Sequence, residues 1–167
     1  HRNTSWDWAR FETSAHKWAD LSEANYGIAL LNDCKYGYDI HDNVMRLTLL
    51  KSATSPDPDA DQGEHLMAYS LLPHQGDWRD GVIAEAYDIN DPLILRRVNG
   101  NGSQTNPIGS LVSTSVPNVV IETIKLAEDG NGLIVRMYED QRNRGKAKIK
   151  TNFALAEAHQ CNILEED

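Results

Sequence analysis

The chain has 167 residues, which fits one domain of ordinary size with a real core. Its 16 Lys and Arg against 25 Asp and Glu leave a formal net charge of −9, a balance that opposes non-specific binding to nucleic acid. Hydrophobic residues are 40% and charged residues 25%, and no run approaches the ~20 apolar positions of a membrane helix, so the composition reads as soluble and globular.

Residues 6–39 carry three of the four tryptophans. If residues 5–10 are extended, Trp6 and Trp8 share a face. Residues 26–31 form an apolar run bounded by polar positions, which predicts a strand. The turn-like His41, Asp42 and Asn43 precede a second strand at 44–50. A third strand is predicted at 66–72, closed by Pro73. One short helix is expected near 79–89, capped by Asp77 with Asp80 three residues on. Both carboxylates suit the positive end of the helix. Val82, Ile83, Ala86 and Tyr87 then share one helical face. Pro92 disfavours helix at the residue before it and ends the element.

Residues 99–109 (NGNGSQTNPIG) form a loop by composition. Residues 119–126 are rich in β-branched side chains and precede the Asp-Gly-Asn-Gly turn at 129–132. Residues 133–138 alternate, with Leu133, Val135 and Met137 on one face. At 146–150 the three lysines point one way, and Ala147 and Ile149 the other, as in an antiparallel sheet with one wet side. These signals predict a meander of consecutive hairpins ending in a strand-like 162–167. The fold class is therefore all-β, an antiparallel β-sandwich over 1–167 with one short helix.

Several blocks carry a resemblance: HRNTSWDWARFE at 1–12, AHKWADLSE at 15–23, LLNDCKYGYD at 30–39, and LTLLKSATSPDPDADQGEH at 47–65. It continues through YSLLPHQGDW at 69–78 and ETIKLAEDGNGLIVRMYE at 122–139. In this order they resemble the C-terminal β-domain of family 38 glycoside hydrolases, the α-mannosidases, nearest the bacterial and cytosolic-type branch. The resemblance covers most of the chain and weakens between Arg96 and Pro117. It implies a galactose-mutarotase-like supersandwich belonging to a retaining exo-α-mannosidase. It also implies a zinc-containing catalytic domain upstream, where His and Asp residues hold the metal and an Asp is the nucleophile. No catalytic residue and no metal ligand of the family falls on this chain. Read this way, the chain is a C-terminal fragment of a larger enzyme, inactive alone, as a first residue His1 rather than Met also suggests. Its implied partners are the catalytic domain in cis and an α-mannoside or oligosaccharide substrate. The family pattern continues past the chain's end, so an open edge strand would allow a homo-oligomer.

Asp57, Asp59 and Asp61 before Gly63 suggest a calcium loop, but its sixth position is Gln62 and its twelfth Ala68, so it reads as an acidic turn. The six histidines (1, 16, 41, 65, 74 and 159) form no HExxH motif, and no GxSxG elbow is present. Ser110, Ser113 and Ser115 read as surface serines. The basic 142–150 segment reads as a solvated hairpin face. Cys34 and Cys161 are too few for a disulfide scaffold and read as free, buried thiols of a reducing compartment, with a bond between the two as the alternative. With no signal peptide visible, the expected location is the cytoplasm, and the sequons at Asn3 and Asn101 carry no weight. Asn32, Asp33, Lys35 and Tyr36 lie where a strand gives way to a turn. Polar groups beside an aromatic ring suit a substrate-facing loop, and the alternative is a tight turn that satisfies its own backbone. Trp6, Trp8 and Trp18 are expected at an interface with the catalytic domain, with sugar stacking as the rival role. A stand-alone carbohydrate-binding module and a purely structural module remain the alternatives to an enzyme's supporting domain.

Overall fold

A computed structural model describes residues 4–97 and 109–166. The chain divides into two compact units, His1–Arg97 and Val98–Asp167. Antiparallel strands dominate both, and the described residues hold two short helices. Neither is long and apolar enough to cross a membrane.

The first unit begins with helix α1 (Ser5–Ala9). Thr4 caps it reciprocally, accepting from the Asp7 amide at 3.2 Å while the Asp7 carboxylate accepts from Thr4. The expected extended conformation is thus corrected by a capping box at Thr4 and Asp7. Residues two apart do not share a helical face, so Trp6 and Trp8 diverge. Strands β1 (Glu12–Ser14), β2 (Trp18–Ser22), β3 (Tyr26–Asn32), β4 (Gly37–His41), β5 (Val44–Leu47) and β6 (Tyr69–Gln75) follow. They form two antiparallel sheets, ordered β1-β4-β5 and β2-β3-β6.

Strand β3 lies between two neighbours and is buried on both sides. Leu30 faces Ala19, Tyr38, Ile40, Met45 and Leu47, where the two sheets meet. Ala29 and Leu31 face the other way, onto Val82 and Ala86 of helix α2 (Val82–Asn90), with Trp18, Leu72, Trp78 and Ile89 around them. A strand covered on both faces reads as an unbroken apolar run, which is why 26–31 was legible.

Three boundaries differ from expectation. Pro73 does not end its strand: β6 runs on to Gln75 with Pro73 opposite Ile28. As the edge strand of its sheet, β6 tolerates a residue without an N–H. Asp77 does not cap α2, because it closes a separate turn in which the Arg79 amide donates to its carboxylate at 2.9 Å. The helix starts later, after Gly81 at φ 97°. The second strand stops at Leu47.

On the helix-facing side of the β2-β3-β6 sheet, His74 on β6 reaches across β3 to Asp20 on β2. Nε2 sits 2.7 Å from Asp20 Oδ1, with side-chain exposures of only 5% and 4%. The ring lies over Gly27. A Cβ there would stand 2.4 Å from His74 Cε1 and 2.7 Å from Ser22 Cβ, so only glycine fits. Burial pulls the imidazole below its ordinary 6.5. The hydrogen bonds to Asp20 and Gln75 and the charges of Asp20 and Asp80 outweigh that pull and raise the net value.

The second unit holds β7 (Val112–Thr114), β8 (Val119–Leu126), β9 (Leu133–Glu139) and β10 (Ile149–Thr151). Strands β8 and β9 form the expected hairpin, interrupted by a bulge between Ile121 and Thr123. Its turn is closed by Ala127 N to Gly132 O at 3.1 Å, with Gly130 and Gly132 at positive φ. The predicted meander is corrected beyond this point, because β10 pairs with β7 and not with β9. Its strand is only three residues long, and Ile149 remains exposed. The end at 162–166 is a turn, not a strand, because Asn162 Oδ1 accepts from Leu164 N at 2.7 Å and Glu166 N at 3.2 Å. Glu165 in that turn holds Lys125 at 2.6 Å and the Glu128 amide at 2.8 Å. The loop predicted at 99–109 and both sequon asparagines lie outside the described residues, apart from Gly109.

Two stability measurements follow from the His74 site. Gly27→Ala is expected to cost about 1–3 kcal/mol in urea denaturation through overpacking. The His74 contribution is fully present below 6.5 and is lost as pH rises through the raised folded-state value. Thermal melts should therefore fall as pH rises above the ordinary 6.5 through the raised folded-state value, and His74→Gln should flatten that slope.

Candidate functional site

The turn between β3 and β4 is built around Asn32. Its side chain is 1% exposed, so each polar atom needs a partner. Nδ2 donates to the buried Tyr38 hydroxyl, and Oδ1 accepts from the Lys35 amide at 2.6 Å. Its carbonyl accepts from Asn90 Nδ2 at 3.0 Å, and its amide donates to the Lys17 carbonyl at 2.9 Å. Asn32 therefore ties β3, the turn, β4 and the end of α2 into one knot. Burial raises the Tyr38 hydroxyl above its ordinary value, with the Asn32 bond pulling the other way.

Asp33 fixes the same turn to the segment before β6. Its Oδ1 accepts from Ala68 N at 3.0 Å, and its own amide donates to Ala68 O at 3.2 Å. The Cys34 thiol and the Ala68 amide hold the Asp33 carboxyl below its usual range. The neighbouring carboxylate in turn pushes the Cys34 thiol up, away from the reactive thiolate. Both cysteines are free. Cys34 is half-buried, whereas Cys161 is exposed and corrects the expectation of a buried thiol.

The other two residues of the predicted loop face outward. Lys35 is half-buried, and Tyr36 is 53% exposed with its ring 4.8 Å from that of His16. The four residues are thus neighbours with different tasks. Asn32 and Asp33 hold the turn, and Lys35 and Tyr36 present a cation and an aromatic face on it.

The tryptophans also separate. Trp18 is half-buried and stacks on Trp78 at 5.7 Å within the core. Trp6 is 72% exposed, with Arg10 lying 5.7 Å above its ring. Trp8 is also exposed and stands edge-on to His41 at 4.3 Å. Between α1 and the β4–β5 hairpin lies an open cleft of about 500 Å³, whose walls include Trp8, Phe11, Asp39, His41, Asn43 and Arg46. Sequence reasoning missed it as a site. Its only signal was alternation in DIHDNVMR, which places Asp39, His41, Val44 and Arg46 on the face opposite Ile40 and Met45. Among the described residues no three His, Cys, Asp or Glu side chains converge.

Comparison with known proteins agrees with this architecture. Residues 1–59 match the model of the glycosyl hydrolases family 38 C-terminal domain. Residues 118–167 match that of the family 38 C-terminal beta sandwich domain. Together the two cover well over half of the chain. Similar proteins include alpha-mannosidase 2C1 of Mus musculus, 44% identical over 99% of the chain. Alpha-mannosidase G of Dictyostelium discoideum is 45% identical and an alpha-mannosidase of Saccharomyces cerevisiae 34% identical, each over 99% of the chain. The chain spans 16% of the length of each of these relatives.

Removing the Asn32 side chain leaves the Lys35 amide and the Tyr38 hydroxyl without their partner. Asn32→Ala is expected to cost about 3 kcal/mol in urea denaturation, and Tyr38→Phe about 1 kcal/mol. A double-mutant cycle should give a non-additive pair.

Proposed function

The chain belongs to glycosyl hydrolase family 38, as part of its C-terminal region, and from that premise we propose that it is the noncatalytic support of a larger α-mannosidase. The parent protein would hydrolyse terminal α-mannosides with retention, using a zinc ion and an acidic nucleophile held by its catalytic domain. Zinc would grip sugar hydroxyls there, and none of this chain's residues is assigned to hold it. The names of the relatives support the substrate class, and their greater length supports a separate catalytic domain. A cytoplasmic location is part of the same reading, supported by two free thiols.

One observation carries the loop's role: Asn32 and Asp33 spend their hydrogen bonds on the fold, whereas Tyr36 is presented on its surface beside the half-buried Lys35. A turn anchored at four backbone points is a rigid mount for a side chain facing substrate. The chain's contribution is therefore positional. It holds the Tyr36 ring and the Lys35 ammonium beside the pocket, where they meet the flat face and the hydroxyls of a mannoside. Trp6, exposed beside Arg10, is the member of the tryptophan set best placed to pack on the catalytic domain in cis.

The test uses the full-length protein and an aryl α-mannoside. Wild type is expected to release mannose, and Tyr36→Ala to lose about tenfold in kcat/KM, or 1.4 kcal/mol, with an unchanged melting temperature. An unchanged kcat/KM would remove the loop from the substrate pocket. Failure of the wild type to cleave any α-mannoside would remove the proposed activity.

A further inference from the structure

The cleft between α1 and the β4–β5 hairpin has a chemistry of its own, and we infer that it is a carbohydrate subsite. It would hold a neutral sugar residue of an oligosaccharide substrate, distinct from the residue being cleaved off. The inference rests on the mannosidase reading above. The cleft's β4 residues, Asp39 and His41, lie roughly 10 and 16 Å along the strand from Tyr36 at ~3.3 Å per residue.

Three features define the ligand. The first is an apolar wall. The Trp8 indole is 53% exposed and Phe11 41%, and His41 fixes the indole edge-on at 4.3 Å and 76°. An immobilised aromatic face loses little entropy when a sugar's C–H face packs on it. The second is an incomplete polar pair. Asp39 Oδ2 accepts from Arg46 Nη1 at 2.8 Å, but Asp39 Oδ1 is buried and meets no donor among the described residues. A buried carboxylate oxygen without a donor is costly, and a ligand hydroxyl supplies one. Arg46 keeps further N–H groups that reach a neighbouring oxygen. Adjacent hydroxyls on a sugar ring, one donating and one accepting, match this carboxylate–guanidinium pair.

The third feature is charge. The walls carry Asp39 and Asp42 against Arg46, and Glu12 stands opposite Asp39 in the strand register. That balance rejects a phosphate or carboxylate ligand, and the Arg46 guanidinium discourages a cation. A neutral, hydroxyl-rich ligand remains. The volume of about 500 Å³ falls within the ~300–1,000 Å³ of small-molecule sites.

Full-length protein carrying Trp8→Ala or Asp39→Asn would be assayed on an aryl α-mannoside and on an α-mannose-terminated oligosaccharide. The expected result is about a tenfold loss of kcat/KM on the oligosaccharide, expressed in KM, and a change within about twofold on the aryl mannoside. Equal loss on both substrates, whether from misfolding or from a lost contact with the catalytic domain, would overturn the inference. So would no loss on either. Asn43→Ala, a change in the exposed turn that leaves the core alone, should show the same split more weakly. A wild-type protein inactive on both substrates sinks the mannosidase reading instead. The subsite is then decided by titrating the oligosaccharide against tryptophan fluorescence. A saturable change lost in Asp39→Asn supports it, and a flat titration overturns it.

Discussion

From Gly27 to Leu31 the backbone of β3 is paired along both edges, and its side chains are covered on both sides. Such a strand has no tolerance for an unpaired polar group or an oversized side chain. Both of its ends show the consequence. At one end the chain places Gly27, so that the His74 ring can cross to Asp20. At the other it places Asn32, whose carboxamide takes up the groups left over where the pairing stops. The half-buried Lys35 and the exposed Tyr36 are held still because the strand beneath them cannot shift register without burying charge.

A sandwich with one helix packed on its outer side also explains the division of labour among the aromatic residues. Trp18 and Trp78 stack on each other and close the space between α2 and the central strand. Trp8 instead stands on the outward face of the β1-β4-β5 sheet, above His41. The same residue type does core work in one place and surface work in another, and position on the pleat decides which.

Much of this was readable beforehand where one force dominated. The apolar run at 26–31 and the β-branched run at 119–126 became strands because burial and propensity agree there. The resemblance carried by LLNDCKYGYD and its companion blocks anticipated both family and fold. What was hidden depended on local hydrogen bonding or on distant partners. The capping box at Thr4 overrode an extended reading of 5–10, and Gly81 displaced the helix start from Asp77. The pairing of β10 with β7 is non-local, and nothing in 146–150 names its partner. Asp20 and His74 lie 54 positions apart, so no local pattern joins them, and the cleft beside Asp39 arises only when α1 is set over β4.

The two units are fastened by different forces. In the first, the His74–Asp20 contact is sealed from solvent, out of reach of dissolved ions. In the second, the last turn is tethered through Lys125, a partly solvated ammonium shared between Glu128 and Glu165. Mobile counter-ions compete with a tether of that kind and leave a sealed one alone. Brine would accordingly loosen that turn first, while the central strand stayed closed.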